Sequence, residues 1–143
     1  MSAPRPTYFD PPTNPAFAPT YSQISSIPVS PTSTLISIAG QIGYDAATQT
    51  IPPTLGEQVT LACANVDKCL EAAGATKADI VQVRQYVVDL LRGGKGPDPE
   101  GPKRYAEWMG GLKPPSTRLG VQALAKAELV YEIEVVAVVH RSS

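Results

Sequence analysis

A short region near the C-terminal end of the 143-residue chain concentrates side chains that do chemistry. Glu132 and Glu134 lie two residues apart, so on a strand they share one face with Val130, Val136 and Val138, while Leu129, Tyr131, Ile133, Val135, Ala137 and Val139 take the other. The all-apolar face belongs to a core. Two carboxylates set among valines suit a face that meets a partner subunit, a ligand or a cation. Just upstream, Ser116 and Arg118 point the same way as Gly120 and Gln122, opposite Thr117, Leu119, Val121 and Ala123. Arginine offers a planar fork that grips a carboxylate at two points, and a glutamate within reach of water acts as a general base. The whole stretch from Ser116 to Val139 reads as two strands joined by a short polar turn.

The elements that must position these groups follow from changes of period. Thr34 to Ala39 is a compact strand closed by Gly40, and GQIGYD then turns away as an irregular loop of the kind that brings backbone N–H groups to ligands. From Thr54 the apolar residues Leu55, Val59, Ala62, Cys63, Val66, Leu70 and Ala73 recur at helical steps; Thr54 and Glu57 have capping-box spacing, and Gly74 is placed to end the helix, predicted over 54–73. IVQVRQYVVDL, from Ile80, alternates as a strand with Val81, Val83 and Val87 on one face. The stretch 91–101 is a polar loop; Asp98 and Pro99 start a second helix, whose stripe is Tyr105, Trp108, Met109 and Leu112 and which Gly110 and Gly111 end. Eight of the 15 prolines fall within the first 31 residues, so residues 1–18 form a mostly extended arm ahead of a domain over 19–143, with a short edge strand within Pro19–Ser25. The order strand, strand, helix, strand, helix, strand, strand gives a two-layer α+β domain with both helices on one face of a mixed sheet. The other face is bare, and closed self-association would cover it.

Composition narrows the function. A net charge of −1 and a pI near 5.8 provide no basic stripe for phosphate backbones, and no apolar run approaches a membrane span, so neither nucleic acid nor membrane is an expected partner. The first residues lack the marks of a signal or transit peptide, so the expected location is the cytoplasm. Cys63 and Cys69, six apart on one helix, cannot pair there and are read as small apolar fillers; His140 is a solvated strand-end residue with no catalytic role.

Taken in order, PTYSQ at 19–23, AGQIG at 39–43, Glu57 and Gln58, Asn65, EAAGA at 71–75, the strand from Ile80, LGVQAL at 119–124 and YEIEVVAV at 131–138 resemble the Rid (reactive intermediate deaminase, YjgF-like) family over roughly residues 19 to 140. The resemblance implies a chorismate-mutase-like fold, a homotrimer whose sheets form a barrel, and small-molecule clefts between subunits. It also implies hydrolysis of 2-imino or 2-enamino acids with no metal or organic cofactor. Carried over position by position, Tyr21 lines the cleft, Gly40 and Gln41 supply backbone donors, and Glu132 positions water. The family's carboxylate-binding arginine falls on Ser116, and this chain's arginine is two residues later, at Arg118.

That departure leaves three functions in play. The cleft is repurposed, with Glu132, Tyr21 and Arg118 acting by proton transfer or water activation on another reactive intermediate (isomerisation, cyclisation, dehydration or hydrolysis). Alternatively, Arg118 replaces the family arginine as carboxylate clamp of an imine deaminase. In the third, the protein is a non-catalytic ligand-binding or structural trimer in which Arg118 pairs with Glu132 or Glu134 across the sheet.

Overall fold

The computed structural model describes residues 3–142. Six strands and two helices build it: β1 (Thr7–Phe9), β2 (Ile24–Pro28), β3 (Ser33–Ile42), α1 (Leu55–Ala72), β4 (Ile80–Val88), α2 (Glu100–Met109), β5 (Ser116–Val121) and β6 (Tyr131–His140). The strands form one mixed sheet in the order β1-β2-β3-β6-β4-β5, so the architecture is α+β, with both helices over one face. The alternation along β6 is complete: Tyr131, Ile133, Val135, Ala137 and Val139 are buried under α1, and Glu132, Glu134, Val136 and Val138 face away. Val59, Val66 and Leu70 of α1 meet Ile36, Ile133 and Val135 of the sheet in the core.

α1 begins where its capping box requires. The Thr54 hydroxyl accepts from the Glu57 N–H at 3.2 Å, and the Glu57 carboxylate accepts from the Thr54 N–H. At the start of α2, whose N-cap is Pro99, the Asp98 carboxylate accepts from the Glu100 N–H at 3.0 Å. Cys63 and Cys69 are buried, and burial is the first cause that pushes each thiol up to about 12, as fits apolar fillers. His140 is exposed, its Nδ1 3.2 Å from the Ser33 hydroxyl.

Several boundaries depart from expectation, each for a hydrogen-bonding reason. The arm is not merely extended: Thr7–Phe9 pairs antiparallel with β2, and the edge strand expected within residues 19–25 begins only at Ile24, because Gln23 gives β3 only its carbonyl, accepting from the Ala39 N–H at 2.9 Å, while its own N–H goes to Asp10. β3 does not close at Gly40. A bulge between Ile38 and Gln41 inserts one residue, and pairing with β6 resumes at Gln41↔Ile133 and Ile42↔Glu132. A second irregularity, between Ile80 and Gln82, leaves Val81 exposed, so the inward set of β4 is Ile80, Val83, Gln85 and Val87. Most consequentially, β5 and β6 are not a hairpin. β5 pairs parallel with β4, and β4 separates it from β6.

Two buried polar residues fix where β6 and the post-β3 loop lie. Gln58 Nε2 donates to the Pro52 and Glu128 carbonyls at 3.0 and 2.8 Å, and its Oε1 accepts from the Val130 N–H at 2.9 Å. Asn65 Nδ2 donates to the Ile42 and Tyr44 carbonyls, both at 2.9 Å. Because Gln58 →Ala would strand three backbone groups, it is expected to lower stability by about 3 kcal/mol, measured by urea unfolding at fixed protein concentration. A loss within experimental error would show that water replaces the amide.

Candidate functional site

The bulge in β3 is the seat of Glu132. A Cβ placed on Gly40 would stand 2.6 Å from Glu132 Cδ and 2.8 Å from its Oε2, so only glycine lets this carboxyl lie across the strand. The Glu132 carboxyl is half-buried and, among the described residues, has no hydrogen-bond or ion-pair partner. Burial, and after it the neighbouring Glu134, raise its pKa above the usual glutamate range.

On the same face, an open cavity of about 550 Å³ is lined by Glu134, two residues on, and not by Glu132 itself. Tyr8, Tyr21, Ser22, Ser25, Ser37 and Glu134 are among its lining residues. Tyr21 is placed by the segment before β2: its phenol oxygen accepts from the Phe17 N–H at 3.1 Å, which leaves its own proton free to donate. Phe17 packs edge-on against Tyr44, ring centroids 4.8 Å apart, and Lys126 Nζ sits 5.9 and 5.5 Å from the two rings. This clasp ties the segment before Tyr21 to the loops that follow β3 and β5.

Gln41 faces the other way. Its side chain is 2% exposed, accepts from Asn14 Nδ2 at 2.8 Å, and donates to Gln23 Oε1 and the Ala39 carbonyl at 3.0 and 2.9 Å. It holds the bulge from behind.

Arg118 and Ser116 also lie behind the sheet. Arg118 is level with Gln85, and Gln85 with Ile133, so the arginine points into the helix layer, opposite to Glu132. The expectation that Arg118 pairs with Glu132 or Glu134 across one face is therefore corrected: the even positions of β5 share a face with the odd positions of β6, so Thr117, not Arg118, lies on the Glu134 side. The cation opposite Glu134 is Arg84, whose Nη1 lies 3.9 Å from Oε1. Arg118 instead lines a second cavity of about 280 Å³ with Leu55, Asp89, Arg92, Asp98 and Val130. Its guanidinium lies against Gly101, where an added Cβ would collide with Nη2. Nε and Nη2 are buried without a partner, and burial lowers the pKa of the group. The loop at 91–101 flanks this cavity, not the Glu132 side. Ser116 accepts from Gln85 Nε2 at 2.9 Å, and Gln85 Oε1 accepts from the Tyr131 hydroxyl at 2.6 Å.

The structure thus brings Glu132, Gly40 and Tyr21 to one side and Arg118 and Ser116 to the other. Sequence reasoning overlooked Tyr86 and Arg84, which face Glu132 and Glu134 from β4; the even positions of IVQVRQYVVDL were the available signal. It also overlooked Asn14 and Gln23, which no periodicity marks.

A carboxyl whose pKa is raised by folding contributes stability that is present at low pH and lost as pH rises through its folded value. Wild type is therefore expected to lose stability relative to Glu132 →Gln as pH rises from the usual glutamate range through the raised folded value, read from urea unfolding of both proteins; parallel profiles would rule the raised value out. Gly40 →Ala should push the carboxyl toward water and bring its titration back toward the usual range, a change visible by ¹³C NMR of labelled glutamate.

The family model described as Endoribonuclease L-PSP matches residues 13–139. A RutC family protein of Pyrococcus abyssi is 33% identical over 103 residues, covering 71% of this chain and 76% of that protein. One from Aquifex aeolicus is 33% identical over 121 residues, covering 78% and 91%. Among solved structures, RidA from an Antarctic Psychrobacter superposes with a TM-score of 0.71 at 26% identity, covering 87% of this chain and 93% of that one. With matched motifs, relatives and fold in agreement, the chain belongs to the Endoribonuclease L-PSP family, the Rid or YjgF-like family that its sequence resembles.

Proposed function

We propose that this protein is a small-molecule enzyme that acts on a reactive metabolic intermediate by proton transfer or water activation at Glu132, in a cleft completed by a second copy of the chain. The observation that carries this is an unpartnered, half-buried carboxyl laid over Gly40, on the sheet face whose cavity Glu134 and Tyr21 line. Such a group moves a proton to or from a substrate atom, or orients a water, which suits isomerisation, cyclisation, dehydration or hydrolysis. Arg118 and Ser116 lie on the opposite face of the same sheet, so they join Glu132 only across an interface between copies. A homotrimer, as the family resemblance implies, supplies such interfaces by symmetry.

A second reading is favoured by one specific observation. Nε and Nη2 form the side-on edge of a guanidinium, the edge that grips a carboxylate at two points, and in Arg118 both are unpartnered. This supports a 2-imino or 2-enamino acid deaminase in which Arg118 is the carboxylate clamp. The non-catalytic trimer loses the pairing of Arg118 with Glu132 or Glu134 on one sheet face that motivated it. The endoribonuclease activity in the family's description is not carried to this chain, whose net charge of −1 offers no surplus of cations to a phosphate backbone.

The test is loss of 2-iminobutyrate, generated in place from threonine by a dehydratase and trapped with semicarbazide, compared for no protein, wild type, Glu132 →Gln and Arg118 →Ala. The deaminase predicts acceleration by wild type, a loss of roughly a hundredfold or more in Glu132 →Gln, and loss in Arg118 →Ala. Wild type no faster than the blank would eliminate that reading and direct the assay to other reactive metabolites. A Glu132 →Gln protein as fast as wild type on any substrate turned over would end both.

A further inference from the structure

The open face carries two carboxyls, and their surroundings are unequal. The Tyr86 phenol donates to Glu134 Oε1, and Arg84 Nη1 lies 3.9 Å from the same oxygen. Register explains the asymmetry. Arg84 stands directly across from Glu134 and Tyr86 directly across from Glu132, so the Tyr86 side chain leans diagonally to reach Glu134. Glu132 receives neither a donor nor a cation among the described residues and is covered from the β3 side by Gly40. A donated hydrogen bond and a guanidinium both stabilise the ionised form of a carboxyl, and one ionised carboxyl opposes ionisation of a second beside it.

We propose that Tyr86 is a positioning residue of this site: by donating its phenol to Glu134 it makes Glu134 the anion of the pair and leaves Glu132 to carry the exchangeable proton. The inference rests on Glu132 being the working group, and it sets the direction of the chemistry. Glu132 enters the reaction as an acid. Its O–H bond breaks as a basic nitrogen, carbon or leaving oxygen of the substrate takes the proton, and the carboxylate that remains is reprotonated from water before the next turnover. The substrate class is therefore one whose first requirement is protonation. Paired acids whose surroundings favour ionisation of one and oppose that of the other are the usual mark of assigned acid and base roles.

Other groups facing the pair do not offset this. From β3 come Gly40 and Ile42 and from β5 Thr117 and Leu119, none of which titrates. Tyr8 and Tyr21 line the cavity that Glu134 also lines. In agreement, Glu132 is raised by burial and then by Glu134, and Tyr86 is raised first by its bond to Glu134.

The test needs no substrate. Full-length protein labelled with ¹³C at the glutamate carboxyls is titrated by NMR as wild type, Tyr86 →Phe, Arg84 →Gln and Glu134 →Gln, with the two signals assigned by their loss in Glu132 →Gln and Glu134 →Gln. Wild type should show Glu132 titrating above Glu134. Tyr86 →Phe and Arg84 →Gln should move the two values toward each other, and Glu134 →Gln should lower that of Glu132. If Glu134 is the later of the two to ionise in wild type, or if Tyr86 →Phe leaves both titrations in place, the proposal is overturned. If the titrations behave as expected but no variant or wild type turns over any imine or other reactive substrate, the division of the carboxyl pair stands and the enzymatic reading alone fails. Where turnover exists, Tyr86 →Phe should shift the alkaline limb of its pH–rate profile to lower pH, a change that a purely structural tyrosine would not produce.

Discussion

Behind the sheet runs a short chain of buried amides that joins the proline-rich segment to the bulge. Asn14 donates to Gln41, Gln41 donates to Gln23, and Gln23 returns to the Asn14 and Pro15 carbonyls, the last two contacts long at 3.4 Å. All three amides are under 5% exposed. A buried amide without a partner costs about 1–3 kcal/mol, so these residues are stable together and costly apart. Asp10 adds to the closure by accepting from the N–H groups of Gln23 and Ala16 at 2.7 and 3.1 Å. The site depends on this closure from both directions. It holds the backbone at Ala39 and Gly40 where Glu132 can cross it, and it delivers the chain from Asn14 through Phe17 to Tyr21. The arm is thus part of the site's foundation.

The other governing constraint is parity. Strand side chains alternate without exception along β6, and the register across β4 to β5 carries that alternation onward. A glutamate at an even position of β6 and an arginine level with an odd one are divided by the thickness of the sheet. The division lets one chain maintain two different environments. On the open side are carboxyls, phenols and serine hydroxyls; on the helix side an arginine is desolvated beneath α2 and an uncharged Ser116–Gln85–Tyr131 chain fills the space beside it.

Much of this was legible in the residues. The helix over 55–72, its capping box, the buried thiols and the apolar alternation of β6 all follow from period and cap chemistry, which act over a few residues. What was not legible depends on partners distant in sequence. That β5 lies beside β4 rather than β6 is a choice among sheet orders that local pattern does not encode, and with it went the side on which Arg118 would fall. The bulge at Ala39–Gly40 looked like a strand end because glycine marks both, and only pairing with β6 distinguishes them. The roles of Asn14, Gln23 and Gln58 were hidden because a buried amide looks like a surface amide until its hydrogen-bond partners, up to 72 residues away, are known.

The strand order has a consequence for how the protein is made. β6 is the last of the six strands in sequence yet lies between β3 and β4, so the middle of the sheet is synthesised after both of its flanks. Until residues 131–140 are available, β3 and β4 each present an unpaired hydrogen-bonding edge, and α1 has nothing to cover but two separated strands. The nascent domain therefore emerges with its adhesive edges open and folds in one late closure, which places its period of greatest exposure to aggregation before residues 131–140 can pair.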